Sequence, residues 1–143
     1  MLVATDGACK GNPGPGTWAF AVFNSKEKYV GHKKGSNKLS TNNEMELTAI
    51  KEALNWAEKF GHPIHILTDS QYCLTGITKW AEGWAKRGWK TSSGTQVKNI
   101  ELWKEVMASK ANFTIEKVKG HSGNKFNDMA DLLCNEEYLN VFL

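Results

Sequence analysis

The chain has 143 residues, of which 41% are hydrophobic and 23% are charged, and its formal net charge is +3. This balance is typical of one soluble globular domain that is long enough to bury a core. No run of about twenty apolar residues occurs and no secretory signal pattern opens the chain, so we expect a cytoplasmic protein without a membrane span. Three cysteines lie far apart and predict reduced thiols rather than disulfides: Cys9, Cys73 and Cys134.

Apolar periodicity and turn residues predict five strands and several helices. Strands are predicted at 2–5, 18–23, 29–35, 64–68 and 113–118. Helices are predicted at about 43–60 and 97–109, with another beginning near residue 70 and a last one at about 127–138. An asparagine is expected to cap the first of these helices, and Asn127 to cap the last. The glycine- and proline-rich segment TDGACKGNPGPG at 5–16 is predicted to be a loop.

The order of these elements predicts an α/β fold. The first three strands are close in sequence and favour an antiparallel meander, with 29–35 at the sheet edge because it carries two lysines and two glycines. Strands separated by helices should run parallel through right-handed crossovers. We therefore expect one domain over residues 1–143, with a five-stranded mixed sheet and helices on both faces.

Two aspartates each follow a short apolar strand, in the segments ATDG and LTDS. If those strands are parallel neighbours, Asp6 and Asp69 emerge at the edge of the sheet where α/β folds bind ligands. Either aspartate taken singly could instead cap a helix. Glu46 is more informative, because a helical wheel places it on the apolar stripe of its helix, where an unpaired carboxylate is costly. Three converging carboxylates predict a divalent cation, and oxygen ligands favour Mg²⁺ or Mn²⁺ over zinc.

Two further groups near the C-terminus are candidates for the same site. If Ala130, Leu133 and Cys134 form the buried face of the last helix, Asp131 flanks that face and Asp128 points further away. His121 lies in a glycine-bracketed polar loop and is able to transfer protons near neutral pH, although a histidine there is more often only a loop residue.

Basic and aromatic residues alternate between positions 79 and 90. The members of this stretch are Lys79, Trp80, Trp84, Lys86, Arg87, Trp89 and Lys90. The near-helical spacing of Trp80 and Trp84 favours packing against helices over direct contact with a ligand.

Four segments in order resemble the type 1 ribonuclease H family, close to its bacterial members, over essentially the whole chain. They are TDGACKGNPGPG at 5–16, TNNEMEL at 41–47, LTDSQY at 67–72 and KGHSGNKFND at 119–128, followed by Asp131. The resemblance implies a ribonuclease H-like fold and a Mg²⁺-dependent endonuclease that cuts the RNA strand of RNA–DNA hybrids, leaving 5′-phosphate and 3′-hydroxyl ends.

The resemblance also implies roles for individual residues. Two Mg²⁺ ions, with Mn²⁺ as a possible substitute, would be held by four carboxylates: Asp6, Glu46, Asp69 and Asp131. Asp6 would bridge the ions, and His121 would be the auxiliary histidine that helps to move a proton or release product.

Substrate contacts are likewise implied by the resemblance. Residues that meet the hybrid near the cut would be Gly7, Cys9, Gly11, Asn12, Thr41, Asn42, Asn43 and Gln71. A basic protrusion at about 79–95 would grip the DNA strand through Trp80, Trp84, Lys86, Arg87 and Lys90. We expect a monomer. Glu44 departs from many relatives by adding a negative charge beside the asparagine pair, which would weaken substrate affinity.

Two other functions are compatible with parts of this sequence. A DNA-cutting nuclease of the same fold, such as a resolvase or an integrase-like domain, would share the carboxylates but not the set Asn12, Asn42, Asn43 and Gln71. A catalytically inactive hybrid-binding module would normally lack part of the carboxylate set. Cleavage of a hybrid compared with a DNA duplex separates these alternatives.

Overall fold

The computed structural model describes residues 1–120 and 123–143, which build an α/β fold around one mixed sheet. The strands are β1 Leu2–Cys9, β2 Gly14–Phe23, β3 Tyr29–Ser40, β4 Ile64–Thr68 and β5 Phe113–Lys117. The helices are α1 Asn42–Phe60, α2 Gln71–Thr75, α3 Ala81–Lys86, α4 Ile100–Ala108 and α5 Lys125–Phe142, and a π-helical turn, Gly76–Trp80, joins α2 to α3. No helix in the described part of the chain is long and apolar enough to span a membrane.

The sheet has the strand order β3-β2-β1-β4-β5. The first three strands are antiparallel, whereas β4 runs parallel to both β1 and β5. This confirms the predicted meander, the parallel crossovers and the edge position of β3. Because β1 and β4 are parallel neighbours, the residues that follow their paired segments lie at the same edge of the sheet.

Helices cover both faces of the sheet, as predicted. On one face, α1 and α4 bury large side chains against the strands, including Leu47, Ile50, Leu54 and Trp103. On the other face, α5 packs through Ala130, Leu133 and Cys134 onto Ala4, Ala19, Ala21 and Phe23. The three alanines of the strands leave room for α5 to approach the sheet closely at β1 and β2.

The segment 5–16 is mostly strand, so the prediction of a loop there was wrong. The ladder between β1 and β2 continues to the pair Cys9↔Gly16 and leaves only residues 10–13 as the connection. Glycine weakens a strand, but Gly7 is required by packing: a Cβ on this residue would lie 2.3 Å from the backbone of Met45 and Glu46 in α1. Backbone pairing and this close approach override the turn-like composition.

Two predicted helix caps were also wrong. Thr41, not an asparagine, caps α1, and Asn124 caps α5 by accepting from the backbone N–H groups of Phe126 and Asn127. Asn127 itself lies inside α5 and is 2% exposed. The prediction of a helix from 97 also began too early, because Asn99 has a left-handed backbone (φ 59°) and α4 starts only at Ile100.

A glycine-to-alanine pair tests the close approach of α1 to β1. We expect Gly7→Ala to lower the free energy of unfolding by about 2–3 kcal/mol, because backbone atoms of α1 cannot move aside as a flexible side chain would. Gly31→Ala is the control, since this β3 glycine has no atom within 4 Å of the added methyl position. Urea unfolding of both variants measures the difference. Equal stabilities would show that Gly7 does not set the spacing between α1 and β1.

Candidate metal centre and nucleic-acid face

Three carboxylates meet at the edge of the sheet where β1 and β4 end their pairing. Asp6 comes from β1, Glu46 from the beginning of α1, and Asp69 from the residue that follows β4. Carboxylate oxygens of the three residues all lie within 4.8 Å of one another. The predicted convergence of Asp6, Glu46 and Asp69 is therefore present in the fold.

The packing of α1 against β1 places Glu46. The helix begins at Asn42, and its N-terminal turns lie directly over Gly7, the residue after Asp6. Glu46 is 8% exposed, and its Oε1 atom is buried without a hydrogen-bond partner among the described residues. A buried, unpartnered carboxylate oxygen is costly in a folded protein unless a cation meets it.

Burial and mutual repulsion raise the pKa values in this cluster. Burial, together with the negative charges of Asp69 and Asp131, raises the pKa of Asp6 from 3.8 to about 7. Burial also raises the pKa of Glu46 well above 4.5, with added contributions from Asp69 and Asp6. Without a cation the cluster therefore retains protons near neutral pH. An all-oxygen, strongly acidic set of ligands suits a hard divalent cation.

Asp131 approaches the cluster from α5. It is half-buried and its charge acts on Asp6, whereas Asp128 is exposed. Asp131 lies outside the group of three whose oxygens are within 4.8 Å of one another. The helical wheel, which favoured Asp131 over Asp128 as the residue that faces the site, agrees with this arrangement.

Two hydrogen bonds that the sequence did not reveal fix α5 against the strands of the site. The Cys134 thiol donates to the backbone oxygen of Asp6 at 3.4 Å, and the Thr17 hydroxyl donates to the backbone oxygen of Cys134 at 3.1 Å. Burial raises the pKa of the Cys134 thiol, so it stays protonated and keeps its donor. Residues far apart in sequence make these contacts, and only the burial of Cys134 was expected from the wheel.

The polar residues at the start of α1 form a connected group. The Asn12 side-chain oxygen accepts from the backbone N–H of Asn42 at 3.0 Å, which ties the β1–β2 connection to the helix. Thr41 accepts from the Glu44 N–H, and the Glu44 carboxylate accepts from Ser40 and Asn37. The negative charge of Glu44 is thus held by neighbours in the β3–α1 junction.

The other residues predicted to contact the substrate differ in their exposure and in their hydrogen bonds. Asn43 and Gln71 are exposed, and the Gln71 amide donates to the Thr75 hydroxyl at 2.8 Å. Gly11 has a left-handed backbone (φ 72°) in the β1–β2 connection. The half-buried Cys9 thiol lies 3.1 Å from the backbone oxygens of Gly14 and Ser40 and 3.2 Å from that of Gly11.

The basic stretch forms the end of the π-helical turn, α3 and the segment that follows it. Trp84 packs edge-on against Trp103 of α4, with ring centroids 5.4 Å apart, whereas Trp80 stacks at an angle on Trp84 and is 45% exposed. The three basic side chains predicted to bind DNA are all exposed: Lys86, Arg87 and Lys90. Lys86 pairs with Glu82 at 3.4 Å.

His121 lies outside the described residues. The chain that leads to it passes close to the carboxylates: a Cβ on Gly120 would lie 2.8 Å from an Asp69 carboxylate oxygen. Gly120 therefore keeps the backbone next to Asp69, a role that its position in the segment KGHSG did not reveal.

A substitution in the cluster tests the repulsion between its charges. In the absence of divalent cations, we expect Asp6→Asn to raise the free energy of unfolding above pH 7 by about 1–3 kcal/mol, because the wild-type carboxylate must then be charged and buried. The pKa of Asp6 is about 7 in the fold and 3.8 ordinarily. The stability that protonated Asp6 contributes to the fold is fully present below pH 3.8 and is lost as pH rises through 7. The advantage of Asp6→Asn over wild type in free energy of unfolding should therefore grow over this range.

Urea unfolding in EDTA at several pH values measures this difference. Asp128→Asn is the matched control, because this aspartate is exposed on the same helix as Asp131; it lies in the first turn of α5, so its loss should lower stability by at most about 1 kcal/mol, with no dependence on pH above 7. A less stable Asp6→Asn protein above pH 7 would contradict the repulsion.

Comparison with known proteins agrees with this geometry. The RNase H family model matches residues 1–138. The chain is 45% identical to the ribonuclease H of Polynucleobacter asymbioticus, with 97% of this chain and 92% of that protein aligned. It is 44% identical to the ribonuclease HI of Caulobacter vibrioides, with 95% and 91% aligned.

A solved structure shows the same likeness. The fold is similar to that of LC9-RNase H1, a type 1 RNase H with the type 2 active-site motif, with a TM-score of 0.79 and 31% identity over 94% of this chain and 71% of that one. The resemblance stated from the four sequence segments is confirmed, and the chain belongs to the RNase H family.

Proposed function

We propose that this protein is an endonuclease that hydrolyses the RNA strand of RNA–DNA hybrids and leaves 5′-phosphate and 3′-hydroxyl ends. The observation that carries the proposal is the convergence of Asp6, Glu46 and Asp69 within 4.8 Å at the edge of an RNase H family fold. The carboxylates of such a cluster repel one another unless they bind a cation. A cation bound there would supply the positive charge that phosphodiester hydrolysis needs at the phosphate.

We further propose Mg²⁺ as the cofactor, two ions per site in the substrate complex, with Mn²⁺ as a substitute. The buried, unpartnered Oε1 of Glu46 and the all-oxygen set of donors fit such ions. Asp6, Glu46, Asp69 and Asp131 would hold them. When bound, divalent ions at a phosphodiester supply the charge that stabilises the transition state and lowers the pKa of the attacking water.

The polar residues around the cluster would select the RNA strand. Asn42 and Asn43 stand within about one turn of Glu46 on α1, and Gln71 follows Asp69 closely in the chain. Their exposed amides can exchange hydrogen bonds with 2′-hydroxyls, which only RNA presents. Asn12 accepts from the Asn42 N–H and so ties the β1–β2 connection to the start of α1, the helix that carries Asn43 and Glu46. Thr41 and Asn12 would lie near a phosphate of the DNA strand.

The basic protrusion would hold the other strand of the hybrid. Lys86, Arg87 and Lys90 are exposed and can contact DNA phosphates, so affinity should fall with salt. Trp84 supports this segment from within by packing on Trp103, and Trp80 is the tryptophan of the pair with an exposed surface.

His121 is proposed to move a proton or to help product leave. We also propose a monomer that acts in the cytoplasm, where the three free cysteines would remain reduced.

Cleavage of one RNA sequence in several forms tests the function. Four substrates are compared, each with and without Mg²⁺. They are the single-stranded RNA, the RNA paired with RNA, the RNA paired with DNA, and a DNA duplex in which one strand contains four ribonucleotides. We expect Mg²⁺-dependent cutting of the last two forms only, with 5′-phosphate ends. A DNA duplex of the same sequence is tested alongside: cutting of it would favour a DNA nuclease, and binding of hybrids without cutting would favour an inactive binding module.

Carboxylate variants test the residues that carry the reaction. Asp69→Asn should lower kcat on the hybrid by about 100-fold or more, because it removes one ligand from the cluster while keeping its shape. Asp128→Asn should stay within about twofold of wild type, since this carboxylate is exposed away from the cluster. Rates within a few-fold of wild type for Asp69→Asn would refute the proposed site.

A further inference from the structure

A small cavity lies beside the carboxylate cluster, between the β1–β2 connection and α5. Its volume is about 140 Å³. Its floor is the β1 backbone at residues 7–9, which directly follows Asp6, and its wall on the α5 side is made by Asn135 and Tyr138. Asn135 is one helical turn beyond Asp131, so the cavity continues the catalytic edge along α5. Asn42, at the start of α1, also lines the cavity.

The cavity contains a positive charge, the Lys10 ammonium, which is positioned over the ring of Tyr138. The Lys10 ammonium lies 5.4 Å from the centroid of the Tyr138 ring, a cation–π geometry. The Lys10 N–H donates to the Pro15 carbonyl at 2.9 Å, which fixes the residue at the turn, and the Tyr138 ring is backed by Phe142. Within residues 1–120 and 123–143, Lys10 has no carboxylate at ion-pair distance, so its charge is available to an anion.

The side of the sheet on which the cavity lies indicates which strand of the hybrid it would contact. The protrusion packs with α1 and α4 on one face of the sheet, and α5, the helix that carries Tyr138, packs on the opposite face through Ala130, Leu133 and Cys134. If the protrusion holds DNA, the strand that passes over Asp6 towards α5 is the one that is cut. A phosphate one or a few nucleotides from the scissile bond would then lie near Lys10.

We propose that this cavity is a subsite for the RNA strand next to the scissile phosphate, in which Lys10 pairs with a backbone phosphate and the Tyr138 ring packs against the adjoining ribose. The inference rests on the proposed function, because it takes the position of the scissile phosphate from the carboxylates. Lys10 and Tyr138 are substrate-binding residues in this scheme and take no part in proton transfer.

Kinetics on the hybrid test the charge of Lys10. At about 50 mM salt, Lys10→Gln should raise KM by roughly 3- to 10-fold with kcat within about twofold, and the slope of log KM against log salt should fall by about one. Lys59→Gln is the matched control, because Lys59 also lies 5.4 Å from an aromatic centroid, that of Phe60, but at the far end of α1. Tyr138→Leu should raise KM in the same way.

Substrates with one neutral phosphate locate the contact. A DNA strand with four ribonucleotides is prepared with a single uncharged methylphosphonate, moved one position at a time away from the cut on each side. At one position the neutral phosphate should raise the KM of the wild type. At that same position it should leave the KM of Lys10→Gln unchanged, because this variant has already lost the contact. Additive effects at every position, or a Lys10→Gln protein with wild-type KM and salt slope, would overturn the subsite.

Binding without cleavage separates this inference from the proposed function. Fluorescence anisotropy with the same hybrid in EDTA compares wild type, Lys10→Gln and Lys59→Gln. Weaker binding by Lys10→Gln alone supports the subsite even if the wild type fails to cut, a result that would refute the proposed function only. Equal binding by all three proteins, together with normal cutting, would refute the subsite and leave the function intact.

Discussion

The repulsion among three carboxylates that the fold forces together is the constraint on which this structure depends. Asp6 and Glu46 are buried, and with Asp69 they place their oxygens within 4.8 Å. Glu46 Oε1 is buried and has no hydrogen-bond partner among the described residues, so nothing in that part of the chain compensates this oxygen. The stability of the rest of the sheet therefore holds the carboxylates together, where they keep protons near neutral pH until a divalent cation replaces those protons.

Each element near the site contributes to this arrangement by position. The parallel pairing of β1 with β4 brings Asp6 and Asp69 to one edge, and Gly7 lets α1 approach so closely that Glu46 joins them. On the other face, small residues and the bonds from Cys134 and Thr17 bring α5 and Asp131 towards Asp6. In the proposed function, the surrounding amides and basic groups would contact a substrate positioned at the carboxylates.

Much of this could be predicted from sequence, because the relevant patterns are local. The helical wheel identified Glu46 as a carboxylate on a buried stripe and preferred Asp131 to Asp128, and the strand order indicated that Asp6 and Asp69 share an edge. The segment 5–16 could not be assigned correctly, since its pairing with β2 depends on a partner strand and on α1. The caps Thr41 and Asn124 stand beside equally suitable residues, and the contact of Lys10 with Tyr138 joins the two ends of the chain.

Proton release on Mg²⁺ binding tests the central claim that these carboxylates are held in a protonated form until a cation arrives. Mg²⁺ is titrated into the protein calorimetrically at about pH 6.5 and about pH 9, in pairs of buffers with different ionisation enthalpies. Because the pKa of Asp6 is about 7 and that of Glu46 is also raised, binding at the lower pH should release about one proton or more, and at the higher pH much less. Binding heats that are independent of buffer at both pH values, or no Mg²⁺ binding at all, would contradict the account.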